Sequence, residues 1–251
     1  MTHPSLPSWP YPRWIAHRGA GKLAPENTLA AFRLGARHGY RMFECDAKLS
    51  ADGVPFLMHD ATLERTTSGK GIGSERTWSE LSRLDAGGWH SLAYVGEPLC
   101  TLENLARFCI ANGFCLNIEI KPTPGQEHIT GQVVAAQAAH WWRGQSVPPL
   151  LSSFQPEALK AARESAPDLP RALLLDSLWE GCLDNAKALD CVALVCNHAL
   201  WDADLVARAR DMGMRTLSYT VNDEWAAQRL IALGTDGIIT DAVNRFSPAA
   251  I

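Results

Sequence analysis

The chain has 251 residues, 47% of them hydrophobic and 20% charged, and a formal net charge of −4 at pH 7. This composition is typical of a globular protein and excludes disordered, collagen-like and coiled-coil classes. No apolar run reaches the roughly 18 residues of a membrane helix, and the acidic balance argues against nucleic acid as a partner. The seven cysteines form no CxxC pair, and the N-terminal segment has no signal-peptide pattern. We therefore predict a reducing, cytoplasmic location without stable membrane insertion.

Short apolar or β-branched runs alternate along the chain with segments of helical period, which predicts a parallel sheet with crossover helices. The predicted strands cover residues 14–17, 42–46, 54–58, 115–120, 150–153, 171–175, 192–196, 216–221 and 237–240. The predicted helices cover residues 28–38, 102–111, 132–142, 156–165, 203–212 and 224–233.

The nine predicted strands are one more than an eightfold barrel holds. Residues 46 and 54 lie too close for a crossover helix, and Asp52-Gly53 between them is a strong hairpin signal. With 54–58 as the return arm of a hairpin, eight parallel strands remain. We predict a single domain, residues 1–251, built as a closed (β/α)8 TIM barrel, with residues 61–101 as a small insertion over its mouth. An open doubly wound sheet is the alternative, but the Gly-x-Gly-x-x-Gly fingerprint after the first strand is missing.

Polar side chains collect at the C-terminal ends of the predicted strands, where (β/α)8 barrels carry their active sites. These strand-end residues are His17, Arg18, Glu44, Asp46, His59, Glu119 and Lys121. Acids at positions i and i+2 of a strand share one face. Burial of both Glu44 and Asp46 against the helices without partners would be costly, so we place them at the interior mouth. Cys45 between them then faces the helices.

Three carboxylates at short range repel one another unless a positive charge lies between them. A hard divalent cation, Mg²⁺ or Ca²⁺, binds carboxylate oxygens and suits the group, and the oxygen ligands do not discriminate between the two ions. We therefore predict one cation held by Glu44, Asp46 and Glu119.

The two basic residues and the two histidines suit a phosphodiester substrate. Arg18 binds phosphate bidentately and Lys121 binds it as a point charge. His17 and His59 beside a phosphate suggest a general base and a general acid. A single buried acid is commonly part of an ion pair and an exposed Glu–Lys pair is usually a solvated surface, so the prediction depends on their joint placement. Together they predict metal-assisted phosphodiester cleavage.

The order and spacing of several motifs resemble the signature of the glycerophosphodiester phosphodiesterase family. The matching segments are His17-Arg18-Gly19, Pro25-Glu26-Asn27-Thr28, Glu44-Cys45-Asp46, His59-Asp60, Arg65-Thr66-Thr67, Leu84-Asp85-Ala86-Gly87, Thr101-Leu102-Glu103, Glu119-Ile120-Lys121, Ser152-Ser153-Phe154 and Gly237-Ile238-Ile239-Thr240-Asp241. The resemblance runs from about residue 14 to residue 242. It is greatest to the short cytosolic bacterial enzymes associated with glycerol-phosphate uptake.

The resemblance implies a (β/α)8 barrel of the phospholipase C-like phosphodiesterase type. It makes Glu44, Asp46 and Glu119 the metal ligands, and it makes His17 and His59 the acid/base pair. It also assigns Arg18 and Lys121 to the phosphate. The implied reaction is hydrolysis of small glycerophosphodiesters, such as glycerophosphocholine or glycerophosphoethanolamine, to sn-glycerol 3-phosphate and an alcohol.

Two positions depart from the family pattern. Tyr219 stands where the family often has Trp and is expected to wall the glycerol or alcohol pocket. Ala242-Val243 follow the final Thr-Asp, where the family often has a proline two residues later. The second departure affects a turn more than the chemistry.

Several alternatives stay open at this point. We adopt His17 as base and His59 as acid, with either water or a neighbouring substrate hydroxyl as nucleophile. A lysophospholipase D-like lipid phosphodiesterase is a competing function, and a phosphodiester-binding protein with a dead site is another. The oligomeric state is not predicted.

Overall fold

The computed structural model describes residue 6, residues 8–246 and residue 248. In that part of the chain nine strands form one sheet. They are β1 (Trp14–Ala16), β2 (Met42–Leu49), β3 (Pro55–Leu57), β4 (Cys115–Ile120), β5 (Leu150–Ser153), β6 (Arg171–Leu175), β7 (Cys191–Asn197), β8 (Arg215–Tyr219) and β9 (Gly237–Thr240). All except β3 run parallel, and β1 pairs with both β2 and β9. The sheet therefore closes on itself, which confirms the predicted barrel and excludes the open sheet.

The strands alternate with helices as predicted. These are α1 (Leu29–Arg37), α2 (Trp78–Leu81), α3 (Leu102–Asn112), α4 (Glu127–Trp141), α5 (Pro156–Ser165), α6 (Cys182–Ala188), α7 (Ala203–Asp211) and α8 (Glu224–Ala232). Local capping explains several starts, because Thr101, Asp202 and Asp223 each accept a backbone N–H three residues on. None of the described helices combines the length and the apolar character needed to cross a bilayer.

Two of the helices outside the insertion differ from the prediction. Helix α4 begins at Glu127, five residues before the predicted start at residue 132, and the side chain of Gln126 at its N-cap makes no capping hydrogen bond. Helix α6 was not predicted. It has only seven residues and begins after Gly181, which has no side chain to cap it. In both places the sequence lacks the Ser, Thr, Asp or Asn N-cap that marks a helix start.

Alternate residues of each strand face two different layers. Phe43, Cys45 and Ala47 of β2 belong to the large cluster between the sheet and the helices. Met42 belongs to a smaller cluster inside the barrel. Because strand side chains alternate, Glu44 shares the interior face with Met42. The prediction that Cys45 faces the helices is confirmed.

The strand β3 forms the predicted hairpin with β2. The two strands are antiparallel and pair Ala47 with Leu57. Gly53 takes a φ of +77° in the connecting turn, which glycine adopts without a steric penalty. The hydroxyl of Ser50 donates to Asp52 at 2.6 Å and closes the turn.

The insertion after β3 has a small core of its own. Its buried residues are Leu63, Leu81, Ala86 and Leu99, which cluster with Phe56 of β3 and with Met58. Asp85 fixes the Gly87-Gly88 turn by accepting both backbone N–H groups at 2.7 Å. Glu97 accepts the backbone N–H of Ala30 at 3.0 Å. The insertion therefore packs on the segment that follows β1, at the C-terminal end of the barrel strands.

Candidate active site

The three predicted metal ligands lie side by side at the interior mouth of the barrel. Strand β2 carries Glu44 and Asp46, and β4 places Glu119 in register beside Asp46. One carboxylate oxygen from each residue lies within 4.8 Å of the other two. All three residues are buried, with exposed fractions of 3%, 0% and 8%.

Burial and mutual repulsion make this cluster electrostatically unusual. Burial, together with the charge of Asp46, raises the pKa of Glu44 to about 8. Burial would also raise the pKa of Asp46, but the charges of Arg18 and Lys121 outweigh it and lower that pKa to about 2. Burial and Asp46 raise the pKa of Glu119. The cluster therefore resists carrying three negative charges by itself.

The cluster also has oxygen atoms without partners. Glu44 Oε1 and Asp46 Oδ1 are buried and accept no hydrogen bond from any described residue. Buried carboxylate oxygens are normally satisfied. A hard divalent cation, which binds several carboxylate oxygens, would satisfy both atoms and offset the repulsion. The donor set of Glu44, Asp46 and Glu119 thus fits Mg²⁺ or Ca²⁺.

His17 follows β1 and lies beside this cluster. Its Nδ1 donates to Asp241 Oδ1 at 2.7 Å, and its Nε2 lies 3.8 Å from Glu44 Oε2. Burial lowers the pKa of His17, but the hydrogen bond to Asp241 and the charge of Glu44 outweigh it, so the pKa is raised. Asn222 Nδ2 donates to the other carboxylate oxygen of Asp241 at 3.1 Å. The ring is therefore held in one orientation, with Nε2 near Glu44.

His59 follows the hairpin arm β3 and has its own carboxylate. Its Nδ1 donates to Asp60 Oδ1 at 2.7 Å. Arg65 donates to Asp60 through Nε at 2.5 Å and to Glu26 through Nη1 at 2.9 Å and Nη2 at 2.8 Å. Burial lowers the pKa of His59, and the charges of Arg18 and Lys121 act in the same direction. Both predicted histidines thus present a carboxylate-oriented ring.

The two predicted phosphate-binding residues border the carboxylates. Arg18 Nη1 donates to Glu26 at 2.9 Å, and Arg18 Nε lies 3.1 Å from Asp46 Oδ2. Lys121 Nζ donates to Glu119 at 2.8 Å. Arg18 has a φ of +51°, which is strained for a residue with a side chain, and its backbone N–H donates to Glu44 at 3.1 Å. The strained turn therefore places both a backbone donor and a guanidinium in the site.

These side chains line one cavity of about 160 Å³. Its lining consists of His17, Arg18, Glu44, His59, Asn117, Glu119, Lys121, Phe154, Leu174, Tyr219, Thr220 and Ile239. Of the eight predicted site residues only Asp46, fully buried, is not part of the lining. The ring of Tyr219 stands edge-on to Phe154, and its hydroxyl donates to the carbonyl of Leu175 at 3.2 Å. Tyr219 thus walls the cavity with its ring.

Sequence reasoning gave no role to several residues that orient the site. Asp241 holds His17, and Asp60 with Arg65 holds His59. Asn27 Nδ2 donates to Asp46 Oδ2 at 2.8 Å. Each of these residues stands in one of the motifs quoted above, and Asp60 is also next in sequence to its histidine. Asp241 directly follows the last strand, which in a closed barrel neighbours the first strand. The position of this acid could therefore have predicted its contact with His17.

A family model and several relatives match most of the chain. A model of the glycerophosphoryl diester phosphodiesterase family matches residues 17–245. The chain is 35% identical to the Bacillus subtilis protein YhdW, over 90% of this chain and 93% of that protein. It is 31% identical to a glycerophosphodiester phosphodiesterase of Caldanaerobacter subterraneus subsp. tengcongensis, with the same coverage.

Solved structures agree as well. An Oleispira antarctica phosphodiesterase in complex with the product sn-glycerol-3-phosphate superposes with a TM-score of 0.86 at 33% identity, covering 94% of this chain and 95% of that one. A glycerophosphodiester phosphodiesterase of Agrobacterium tumefaciens superposes with a TM-score of 0.76 at 28% identity, covering 94% and 99%. As the motifs predicted, the chain belongs to the glycerophosphoryl diester phosphodiesterase family, a family of hydrolases.

Proposed function

We propose that the chain hydrolyses small glycerophosphodiesters to sn-glycerol 3-phosphate and an alcohol, with one divalent cation in the site. The observation that carries the proposal is the convergence of His17 and His59, each oriented by its own carboxylate, on one cavity with three buried acids. The product held by the Oleispira antarctica phosphodiesterase supports the choice of substrate class.

The cation is assigned to Glu44, Asp46 and Glu119, because one oxygen of each lies close to the others and Glu44 Oε1 and Asp46 Oδ1 accept no hydrogen bond from the described residues. When bound, it supplies positive charge against the phosphate oxygens and lowers the pKa of a hydroxyl or water beside them. Lys121 and Asn27 keep Glu119 and Asp46 in place through hydrogen bonds of 2.8 Å each. These bonds fix the carboxylates before any ligand enters.

The phosphate is assigned to Arg18 and Lys121. Each is anchored on a carboxylate and still lines the cavity. A guanidinium has five N–H donors and an ammonium has three, so both retain donors for phosphate oxygens after their carboxylate bonds are made. Their positions are set by the protein, which lowers the entropic cost of binding the substrate.

The two histidines are assigned to proton transfer. A carboxylate on Nδ1 fixes the tautomer of each ring and leaves Nε2 as the reacting nitrogen. The raised pKa of His17 makes its neutral ring a stronger base, and the lowered pKa of His59 makes its protonated ring a stronger acid. We therefore assign removal of the nucleophile's proton to His17 and protonation of the leaving alkoxide to His59.

One observation favours a second candidate, a lysophospholipase D-like activity. The insertion exposes large apolar side chains at Trp89, Leu92 and Val95, with exposed fractions of 41%, 91% and 61%. Exposed apolar groups of this kind contact lipid or protein partners when they form a continuous patch. The cavity of about 160 Å³ favours the small diesters, because pockets for drug-sized ligands measure roughly 300–1,000 Å³.

Product analysis tests the proposal. Glycerophosphocholine, glycerophosphoethanolamine and lysophosphatidylcholine are each incubated with the protein and saturating Mg²⁺ or Ca²⁺, and sn-glycerol 3-phosphate, choline and lysophosphatidic acid are quantified. We expect sn-glycerol 3-phosphate from the first two substrates and a loss of about 10²–10⁴-fold in kcat for His17→Ala and for His59→Ala. His140→Ala, at an exposed position of α4, is the matched control.

Each contrary result has a defined meaning. If lysophosphatidylcholine is hydrolysed and the two small diesters are not, the protein is a lysophospholipase D-like lipid phosphodiesterase. Binding of the diesters without any product would establish a dead site. Normal kcat in either histidine variant would refute the acid/base assignment.

A further inference from the structure

The active-site cavity contains a buried amide that the proposed mechanism does not use. Asn117 lies on β4 and is 1% exposed. It lines the cavity, yet neither its Nδ2 nor its Oδ1 has a hydrogen-bond partner among the described residues. Buried amides are nearly always satisfied, and leaving both ends unpaired opposes folding. The residue is therefore best explained by a ligand that completes its hydrogen bonds.

The position of Asn117 indicates which part of a ligand it meets. It lies two residues before Glu119 on the same strand, so it shares the interior face and lies deeper in the barrel. It is in register with Glu44 on β2 and with Leu150 on β5. A group that contacts Asn117 therefore lies level with Glu44, at the inner edge of the carboxylate cluster and on the barrel side of Asp46 and Glu119.

The cavity lining divides into two parts. The charged half, which consists of His17, Arg18, Glu44, His59, Glu119 and Lys121, suits the phosphate and the cation. The largely apolar half consists of Phe154, Leu174, Tyr219, Thr220 and Ile239 around Asn117. The hydroxyl of Tyr219 is already bonded to the carbonyl of Leu175, whereas the buried Asn117 amide in the same half has no hydrogen-bond partner among the described residues.

We propose that Asn117 binds the hydroxyls of the glycerol moiety and so determines which end of the substrate enters the barrel. This rests on the proposed function, since it concerns the same diester in the same cavity. The amide offers one acceptor and one NH₂ donor, which match hydroxyls that both donate and accept. The glycerol carbons contact the apolar half. The head group of the diester then lies toward the open mouth.

This assignment explains how the site selects for glycerol and not for a particular alcohol. A pocket that must hydrogen-bond a substrate hydroxyl discriminates strongly against an analogue without it, because the pocket's polar group is left unpaired. The head group lies outside the pocket that contains Asn117, so head groups of different size share one site. The specificity of the reaction is therefore placed on the side of the phosphate that becomes sn-glycerol 3-phosphate.

Product-analogue binding tests the role of Asn117. Inhibition constants of sn-glycerol 3-phosphate, 3-hydroxypropyl phosphate and propyl phosphate are measured at saturating Mg²⁺ for the wild type, Asn117→Leu and Asn117→Ala. We expect the wild type to bind sn-glycerol 3-phosphate roughly 10–100-fold more tightly than propyl phosphate, as two hydrogen bonds allow. In both variants sn-glycerol 3-phosphate and propyl phosphate should bind about equally. The affinity for propyl phosphate should be the same as in the wild type.

Two further readouts separate this role from others. Asn117→Leu removes no hydrogen bond within the protein, so we expect an unchanged or higher melting temperature. Calorimetric titration with Mn²⁺ should give an unchanged affinity. Ser152→Ala is the matched control, because Ser152 is fully buried on the neighbouring strand, has an unpartnered hydroxyl and does not line the cavity. It should keep the preference for glycerol.

The outcomes distinguish this proposal from the proposed function. If the Asn117 variants keep the preference for sn-glycerol 3-phosphate, the assignment of Asn117 is refuted even when the wild type hydrolyses glycerophosphocholine. A lower melting temperature with the preference intact would make the amide structural, and a weaker Mn²⁺ affinity would make it a metal ligand. If the wild type releases no sn-glycerol 3-phosphate from any diester, the proposed function fails, whatever the variants show.

Discussion

The substitution Asp241→Asn tests how the site controls the tautomer of His17. Asp241 accepts from His17 Nδ1 at 2.7 Å and from Asn222 Nδ2 at 3.1 Å. Asn222 cannot turn its amide without loss, because its Oδ1 already accepts the backbone N–H of residue 241 at 2.9 Å. An asparagine at 241 must therefore direct its oxygen to Asn222 and its NH₂ to His17. Nδ1 then becomes an acceptor, and the ring proton moves to Nε2.

The expected loss follows from that tautomer. With its proton on Nε2, His17 cannot remove a proton from the nucleophile, and the carboxylate that stabilises its protonated form is gone. General-base catalysis with its orienting carboxylate is worth about 10²–10⁴-fold. We expect kcat to fall on that scale, which corresponds to about 3–5 kcal/mol in the barrier. Because Asp241 raises the pKa of His17, the acidic limb of the kcat/KM profile should also move to lower pH.

Steady-state release of sn-glycerol 3-phosphate from glycerophosphocholine across pH measures both effects. Melting temperature controls for folding, since asparagine has the shape of aspartate. Asp223→Asn is the matched control, because asparagine also caps the start of α8. An Asp241→Asn variant with kcat within a factor of about three of the wild type and an unmoved acidic limb would refute the tautomer argument.

Three further predictions concern the surroundings of the site. Arg65→Met should lower kcat roughly 10–100-fold, because it releases Asp60 and so misplaces His59. Arg65→Lys should lower kcat less. An unchanged kcat in Arg65→Met would show that the hydrogen bonds from Arg65 to Asp60 and Glu26 are not needed for catalysis. The folded-state pKa of Glu44 is raised from 4.5 to about 8, so its contribution to stability is present below pH 4.5 and lost as pH rises through 8. The chelator-treated protein should therefore melt at a lower temperature at pH 8.5 than at pH 5. This difference in melting temperature should be smaller with saturating Mg²⁺ and in Glu44→Gln. Equal melting temperatures at the two pH values would contradict the burial of a charged Glu44. Tyr219→Phe should keep kcat and KM close to wild type, because the hydroxyl bonds the carbonyl of Leu175 outside the cavity. Tyr219→Ala should raise KM, because it removes the ring that lines the cavity. Equal effects of the two substitutions would contradict this role of the ring.

The barrel was predictable because its signals are local. Strand periodicity of two fixed the common face of Glu44 and Asp46, since any register that buries Phe43 and Cys45 against the helices turns the acids inward. The Asp52-Gly53 turn identified β3 as an antiparallel strand from two residues. Helix α6 was missed because a seven-residue helix without a polar N-cap carries too little local information.

The contacts that orient the histidines depend on the closure of the fold. His17 and Asp241 are 224 positions apart and meet because β9 pairs with β1. Arg65 reaches Glu26 across 39 positions through the path of a loop, which no periodicity describes. That Asn117 is buried without a hydrogen-bond partner among the described residues is likewise visible only when every neighbouring strand is in place. Residue types at strand ends were sufficient to locate the site. The residues that orient the two histidines were identified only from the structure.

Cation dependence of sn-glycerol 3-phosphate release is the most direct test of the account. The protein is stripped with chelator and assayed on glycerophosphocholine while Mg²⁺ or Ca²⁺ is titrated back, with Glu119→Gln and, as a surface control, Glu103→Gln. We expect background activity without cation and full recovery for the wild type and the control. The midpoint for Glu119→Gln should be at least about 10–100-fold higher. Full activity of the stripped protein, or an unchanged midpoint in Glu119→Gln, would contradict a cation held by the buried carboxylates.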